Sequence, residues 1–201
     1  MKGGNQVNQK TLFYILIAFI VFFIVTQLVT TLTRKPPYEI AYYRSKMEYD
    51  YTGEATFTAT AGLFFKDKNK QQQYIDQYQQ ASLSTFKSYF DDVSEKVGRN
   101  IEVISMNSTM TERSGILEVV ETARLLNAAS VTNGIVDTSL KDISIYSVND
   151  SQIVVVVPEG ADILTIEPTP TKIVENAIYW QPSESSMSFP RVIFKEGEEG
   201  K

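Results

Sequence analysis

Residues 115–126, Gly115-Ile116-Leu117-Glu118-Val119-Val120-Glu121-Thr122-Ala123-Arg124-Leu125-Leu126, decide the fold of this chain. Their apolar spacing fits a short helix as well as a strand. They stand, however, in a region whose β character persists from Gly98 to the end of the chain, and on that ground they read as a strand. Residues 101–106 and 130–136 flank them as further strands. Residues 140–146, 152–157, 162–166, 177–180 and 192–194 continue the series. The turn Asn149-Asp150-Ser151 joins two of these, and Ile153-Val154-Val155-Val156-Val157 is apolar on both faces, as a central strand requires.

Upstream, alternation in Met47-Glu48-Tyr49-Asp50-Tyr51 and in Glu54-Ala55-Thr56-Phe57-Thr58-Ala59-Thr60 predicts a hairpin around Gly53. Asp67-Lys68-Asn69-Lys70 breaks that pattern. From there to Gly98, Tyr74, Ile75, Tyr78, Leu83, Phe86, Tyr89, Phe90, Val93 and Val97 recur at three- and four-residue spacing, apart from one five-residue gap, which predicts an amphipathic helix over about 70–97, bent or split near Ser82-Leu83-Ser84. Its aromatic stripe suits packing on a sheet better than a coiled-coil seam. Many short strands with prolines and glycines at the joints predict an α+β, mostly β class: an antiparallel β-sandwich-like domain with one long amphipathic helix.

The amino-terminal part has a different solvent. Residues 11–32, TLFYILIAFIVFFIVTQLVTTL, are 22 residues without a charge. At about 1.5 Å rise per residue they span roughly 33 Å, enough for a transmembrane helix. The run exceeds a signal-peptide core, lacks an A-x-A-like cleavage site at its exit, and is stopped by Pro36-Pro37, so it reads as an uncleaved anchor. The division is then a tail at 1–10, a span at 11–33, a soluble β-rich domain at 34–195 and a polar, flexible tail at 196–201. Lys2 and Lys10 on one flank nearly balance Arg34 and Lys35 on the other. A short polar tail before a first span commonly stays inside, which puts the domain on the extracytoplasmic side.

The chain has 19 Lys and Arg against 24 Asp and Glu; without Lys2, Lys10, Arg34 and Lys35, residues 36–201 keep 15 against 24, a net of about −9. That field disfavours nucleic acid and anionic head groups as partners. Cysteine and histidine are both absent. Thiol chemistry, the commonest general base, the usual zinc ligand and every Ser-His-Asp arrangement go with them. No phosphate-binding loop occurs, and Ser45-Lys46 and Lys87-Ser88 are bare adjacent pairs. Asp91 and Glu95 share a helix face as a solvated pair, while Glu118 and Glu121 fall on opposite faces of one strand. No catalytic, cofactor-binding or metal-binding set emerges, and no cofactor is expected. Two sequons, Asn107-Ser108-Thr109 and Asn149-Asp150-Ser151, are candidate glycosylation sites in turns or strand ends.

Residues 153–180, IVVVVPEGADILTIEPTPTKIVENAIYW, read as strand, proline-glycine corner, strand, proline-spaced loop and a short strand ending in Trp180, the plug for one end of the core. This segment, with the anchor-then-sandwich layout, resembles uncharacterised prokaryotic, mainly archaeal, proteins in which a β-sandwich adjoins a single membrane span. The resemblance implies a fold and a membrane context, and brings no catalytic residues. The expected function is a non-catalytic binding, assembly or cell-envelope role, with the bilayer contacted through residues 11–32 and a protein partner or second copy of the chain elsewhere. A pilin-like filament subunit is the alternative, against which stand the polar stretch Asn5-Gln6-Val7-Asn8-Gln9-Lys10 and the lack of an early glutamate. A carboxylate-dependent hydrolase is the third.

Overall fold

The computed structural model describes residues 37–79, 91, 94–95, 97–141, 144–146, 150–182 and 186–197. The apolar run at 11–32 and the tail at 198–201 lie outside them; among the described residues no helix is long and apolar enough to cross a membrane. The first two strands, β1 (Tyr38–Tyr49) and β2 (Ala55–Phe65), form the expected hairpin. Asp50 closes its turn, Oδ1 accepting from the Thr52 and Glu54 amides at 2.9 Å each. Gly53 is required there: its φ is +82°, and a Cβ would meet the Ala129 carbonyl oxygen at 2.8 Å.

Helix α1 (Lys68–Gln79) begins two residues earlier than the periodicity predicts, because Asp67 caps it, Oδ1 accepting from the Asn69 amide at 2.9 Å. Asp91, Ser94, Glu95 and Val97 are helical too. Gly98, at φ +65°, ends that turn with the Arg99 amide donating to the Ser94 carbonyl at 3.1 Å, the Schellman closure. The remainder of the predicted helix, with its bend near Ser82, lies outside the described residues.

Strands β3 (Glu102–Arg113) and β4 (Ile116–Leu126) follow, so residues 116–126 are strand and not helix. Ser114 and Gly115, both at positive φ, form the two-residue turn that matches strand twist. The stretch at 130–136, expected as one strand, is a second hairpin: β5 (Ser130–Thr132), the turn Asn133-Gly134, and β6 (Ile135–Asp137). Then come β7 (Ser144–Tyr146), β8 (Ser151–Val156), β9 (Ala161–Glu167), β10 (Lys172–Val174), β11 (Ala177–Trp180), β12 (Ser186–Ser188) and β13 (Arg191–Glu196).

A seven-stranded sheet has the order β10-β11-β8-β1-β2-β4-β3, a four-stranded sheet the order β5-β6-β13-β9, and β12 pairs with β7. The all-antiparallel expectation is corrected at one place: β8 runs parallel to β1, from Tyr43 opposite Ser151 to Glu48 opposite Val156. Nor do β7 and β8 pair across the 149–151 turn, since β7 has β12 as its partner. Inward positions of the large sheet carry Tyr43, Met47, Ala59, Leu63, Leu117, Val119, Leu125, Ile153, Val155, Ile178 and Trp180. With Val136, Val192 and Phe194 of the small sheet and Tyr74 and Tyr78 of α1 they make one core. At roughly 25 cal/mol per Å² of apolar surface removed from water, this shared burial is what ties helix and sheets together. Trp180 sits in it as expected, its Nε1 donating to the Pro168 carbonyl at 2.9 Å.

Candidate functional site

Alternation along β4 turns Leu117, Val119, Glu121, Ala123 and Leu125 inward, and the apolar character of that face is broken once, by the Glu121 carboxylate. Glu121 is 1 % exposed. Register places it between Ala59 of β2 and Ser108 of β3, beneath α1. Tyr78 donates its hydroxyl proton to Glu121 Oε1, and Tyr74, one turn earlier, stacks on Tyr78 with ring centroids 6.0 Å apart. Tyr74 also meets Tyr38 and Phe65 at 5.7 and 5.5 Å. Tyr43 lies buried on the adjoining strand.

The electrostatics follow from that enclosure. Burial pushes the Glu121 carboxyl up to about 7, with the Tyr78 hydrogen bond pulling the other way. The Tyr43, Tyr74 and Tyr78 phenols are pushed up by burial first; Glu121 adds to this in Tyr43 and Tyr78, and Tyr38 followed by Glu121 in Tyr74. Tyr38 Oη, Tyr74 Oη and Glu121 Oε2 are buried without a hydrogen-bond partner. The first turn of α1 is fastened separately: Gln71 Nε2 donates to Glu112 Oε2 at 2.9 Å, and Lys68 pairs with the other Glu112 oxygen. The cluster can hold or release one proton near neutrality under a lid of two tyrosines, and among the described residues Glu121 is closed off from solvent.

Two further polar features fasten the structure. Arg191 grips Asp137 through Nε at 3.0 Å and Nη2 at 2.8 Å, and reaches Glu167 at 3.4 Å, tying β13 to both its neighbours. The Arg191 hydrogen bonds hold the Asp137 carboxyl down at about 2. A cleft of about 450 Å³ opens where β8 passes to β9, floored by Val157, Ala161 and Ile163 and rimmed by Glu159 and Glu175.

Of the residues the sequence singled out, Asn107 stands in the middle of β3, exposed on the face away from α1, and not in a turn or strand end. Asn149 lies outside the described residues, as do Lys87 and Ser88. Asp91 and Glu95 are exposed and helical. Glu118 and Glu121 are indeed on opposite faces: Glu118 accepts from the Tyr42 hydroxyl at 2.6 Å on the open side of the sheet. Lys46 pairs with Glu48 at 2.8 Å. Among the described residues no three carboxylates gather closely enough to hold a metal ion. The sequence pattern places Glu121 on a face without naming the cluster; an acid at an inward position of an alternating strand is the signal for it.

No curated protein matches this chain. Among solved structures, the folded domain of LppM from Mycobacterium tuberculosis, determined by NMR, is similar at 8 % identity with a TM-score of 0.42, over 84 % of this chain and 96 % of that one. A family described as a domain of unknown function, DUF4897, matches residues 38–195, from the first residue of β1 to the last but one of β13, and the chain belongs to that family.

Proposed function

We propose that this chain is a single-span membrane protein whose acidic β-rich domain lies on the extracytoplasmic side and serves binding or assembly without catalysis. The observation that carries this reading is the spacing between anchor and fold: β1 opens at Tyr38, with five residues between it and the end of the uncharged run at 11–32. Five residues reach at most about 18 Å, so a membrane helix ending at Leu32 keeps the domain against the bilayer surface. Against catalysis stands the closure over Glu121, the carboxyl whose proton affinity is most suited to acid-base work and which α1 covers. The exposed Asn107 amide is accessible to glycosylation on that side of a membrane.

Protease treatment of sealed vesicles tests the placement. Residues 38–201 are expected to be digested in spheroplasts and protected in inverted vesicles; the full chain recovered in the supernatant of lysed cells after ultracentrifugation overturns the anchor. Affinity capture of the full chain from detergent extracts tests the role, and repeated recovery of a bare monomer speaks against assembly.

A further inference from the structure

Among the described residues, β3 is an edge strand with β4 as its one strand neighbour, and it lacks most of the features that keep such edges apart. Edge strands are ordinarily short, or interrupted by charge or proline, because their outward N–H and C=O groups template further pairing. The other edges obey this. β10 and β5 have three residues each, and β9 carries Asp162 and Glu167. β3 has twelve residues, and Val103-Ile104-Ser105-Met106-Asn107-Ser108-Thr109-Met110-Thr111 contains neither a charge nor a proline. Nine of its twelve residues are exposed, and the three that are not are Val103, Met106 and Met110.

We infer that β3 is a self-association edge, which pairs antiparallel with β3 of a second copy of this chain about a two-fold axis through Ser108. The inference rests on the assembly role proposed above and names its surface. A regular two-fold pairing must keep the two sheets the same way up, so inward residues oppose inward ones and outward oppose outward. Centred on Ser108, the register sets Met106 against Met110 on the inward side, and Asn107 against Thr109 and Ser105 against Thr111 on the outward side. The one irregularity of β3, the extra residue Ile104 between Val103 and Ser105, then completes the match. It turns Glu102 to the same face as Arg113, since their partners Leu126 and Ile116 are both outward on β4. Each end of the joint thus brings Glu102 of one copy against Arg113 of the other, and neither residue has an ion pair among the described residues. Opposite charges directly across a strand pair stabilise it, like charges oppose it. The second copy is favoured over a foreign strand because one sequence supplies both halves of this complementarity, and the two-fold repeats it at each end of the joint.

The two-fold sends the Tyr38 ends of the two copies in opposite directions along the strands. One bilayer accommodates that with the sheet parallel to its surface, and two facing bilayers with the strands upright; detergent micelles impose neither. Asn107 lies at the centre of the joint, so a glycan there and the pairing exclude each other.

The test uses the full chain in detergent micelles, made in a host that does not glycosylate, followed by sedimentation over a range of protein concentrations. A dimer is expected. Arg113→Glu sets acid against Glu102 at both ends and weakens it about tenfold, and Glu102→Arg added to Arg113→Glu restores it. Ser108→Cys, in a chain with no other cysteine, forms an intermolecular disulfide under mild oxidation, because Cα atoms directly opposite lie about 5 Å apart. Asn107→Lys with Thr109→Lys, both outward and exposed, gives a monomer of unchanged circular dichroism. A monomer throughout the concentration range overturns the proposal. So does a dimer that ignores the Lys and Glu substitutions and leaves Ser108→Cys unlinked; that second result, or capture of a different protein by the full chain, leaves the assembly role standing.

Discussion

Glu121 is governed by where it sits more than by what it touches. Its folded value of about 7 stands above the usual 4.5, so the folded chain keeps a proton that the unfolded chain has lost across that window. The stabilisation is complete below about pH 4.5 and falls away as pH rises towards 7, by roughly 3 kcal/mol. Asp137 works in the opposite sense: held down at about 2 from a usual 3.8, it stabilises above that usual value and loses its contribution as pH falls through 2. Stability should therefore be greatest near pH 4 to 5. Urea midpoints at pH 5 and pH 8 are expected to differ for the native sequence and to converge in Glu121→Gln. Gly62 shows a steric counterpart, for a Cβ there would lie 2.3 Å from the Tyr42 ring. Gly62→Ala must swing that ring off its bond to Glu118, at a cost of about 1 kcal/mol. Once Tyr42 is already alanine the same change should cost almost nothing, and a double-mutant cycle reads the difference.

Helix α1 is held by its first turn on Glu112 and by its last on Glu121, so its ends report on different contacts. Tyr78→Phe removes the donor to Glu121 and leaves a buried acid alone, which costs about 1 to 3 kcal/mol and moves the Glu121 titration further upward. Amide exchange should quicken around residues 75–79 while the Gln71 amide, bonded to the Asp67 carbonyl at 3.1 Å, keeps its protection. The elements themselves were largely legible where a local rule speaks. The Gly53 hairpin, Trp180 at the core and the corner at Pro158 follow from alternation and turn chemistry, whereas β4, whose spacing fits a helix too, is readable only from the β character around it. The Asn133-Gly134 turn is equally local, but the apolar residues on either side make residues 130–136 look like one continuous strand. The parallel contact of β8 with β1 obeys no local rule: nothing in either strand states which distant neighbour it will meet. Glu121 shows the same limit, since the pattern marks it as inward but only the fold puts Tyr78 above it.

At the level of the molecule, two sheets and a helix share one core, and Phe194, fully buried, sits where the small sheet meets the first hairpin, its ring 6.1 Å from Tyr51. Phe194→Ala should cost about 3 to 5 kcal/mol. Because the core is continuous, the loss should appear with the same midpoint in Trp180 fluorescence, which watches the large sheet, and in far-ultraviolet circular dichroism; separated midpoints would mean that the sheets unfold independently. The parallel β1–β8 contact carries a consequence for synthesis. Strand β1 is among the first folded segments to leave the ribosome, and the strand that completes its second side is made roughly 110 residues later. At about 5 to 20 residues per second, that side of β1 waits some 5 to 20 seconds for its neighbour. A nascent chain so exposed needs cover from the translation machinery or a chaperone, and slowing translation between codons 66 and 150 should raise the aggregated fraction without altering the finished protein.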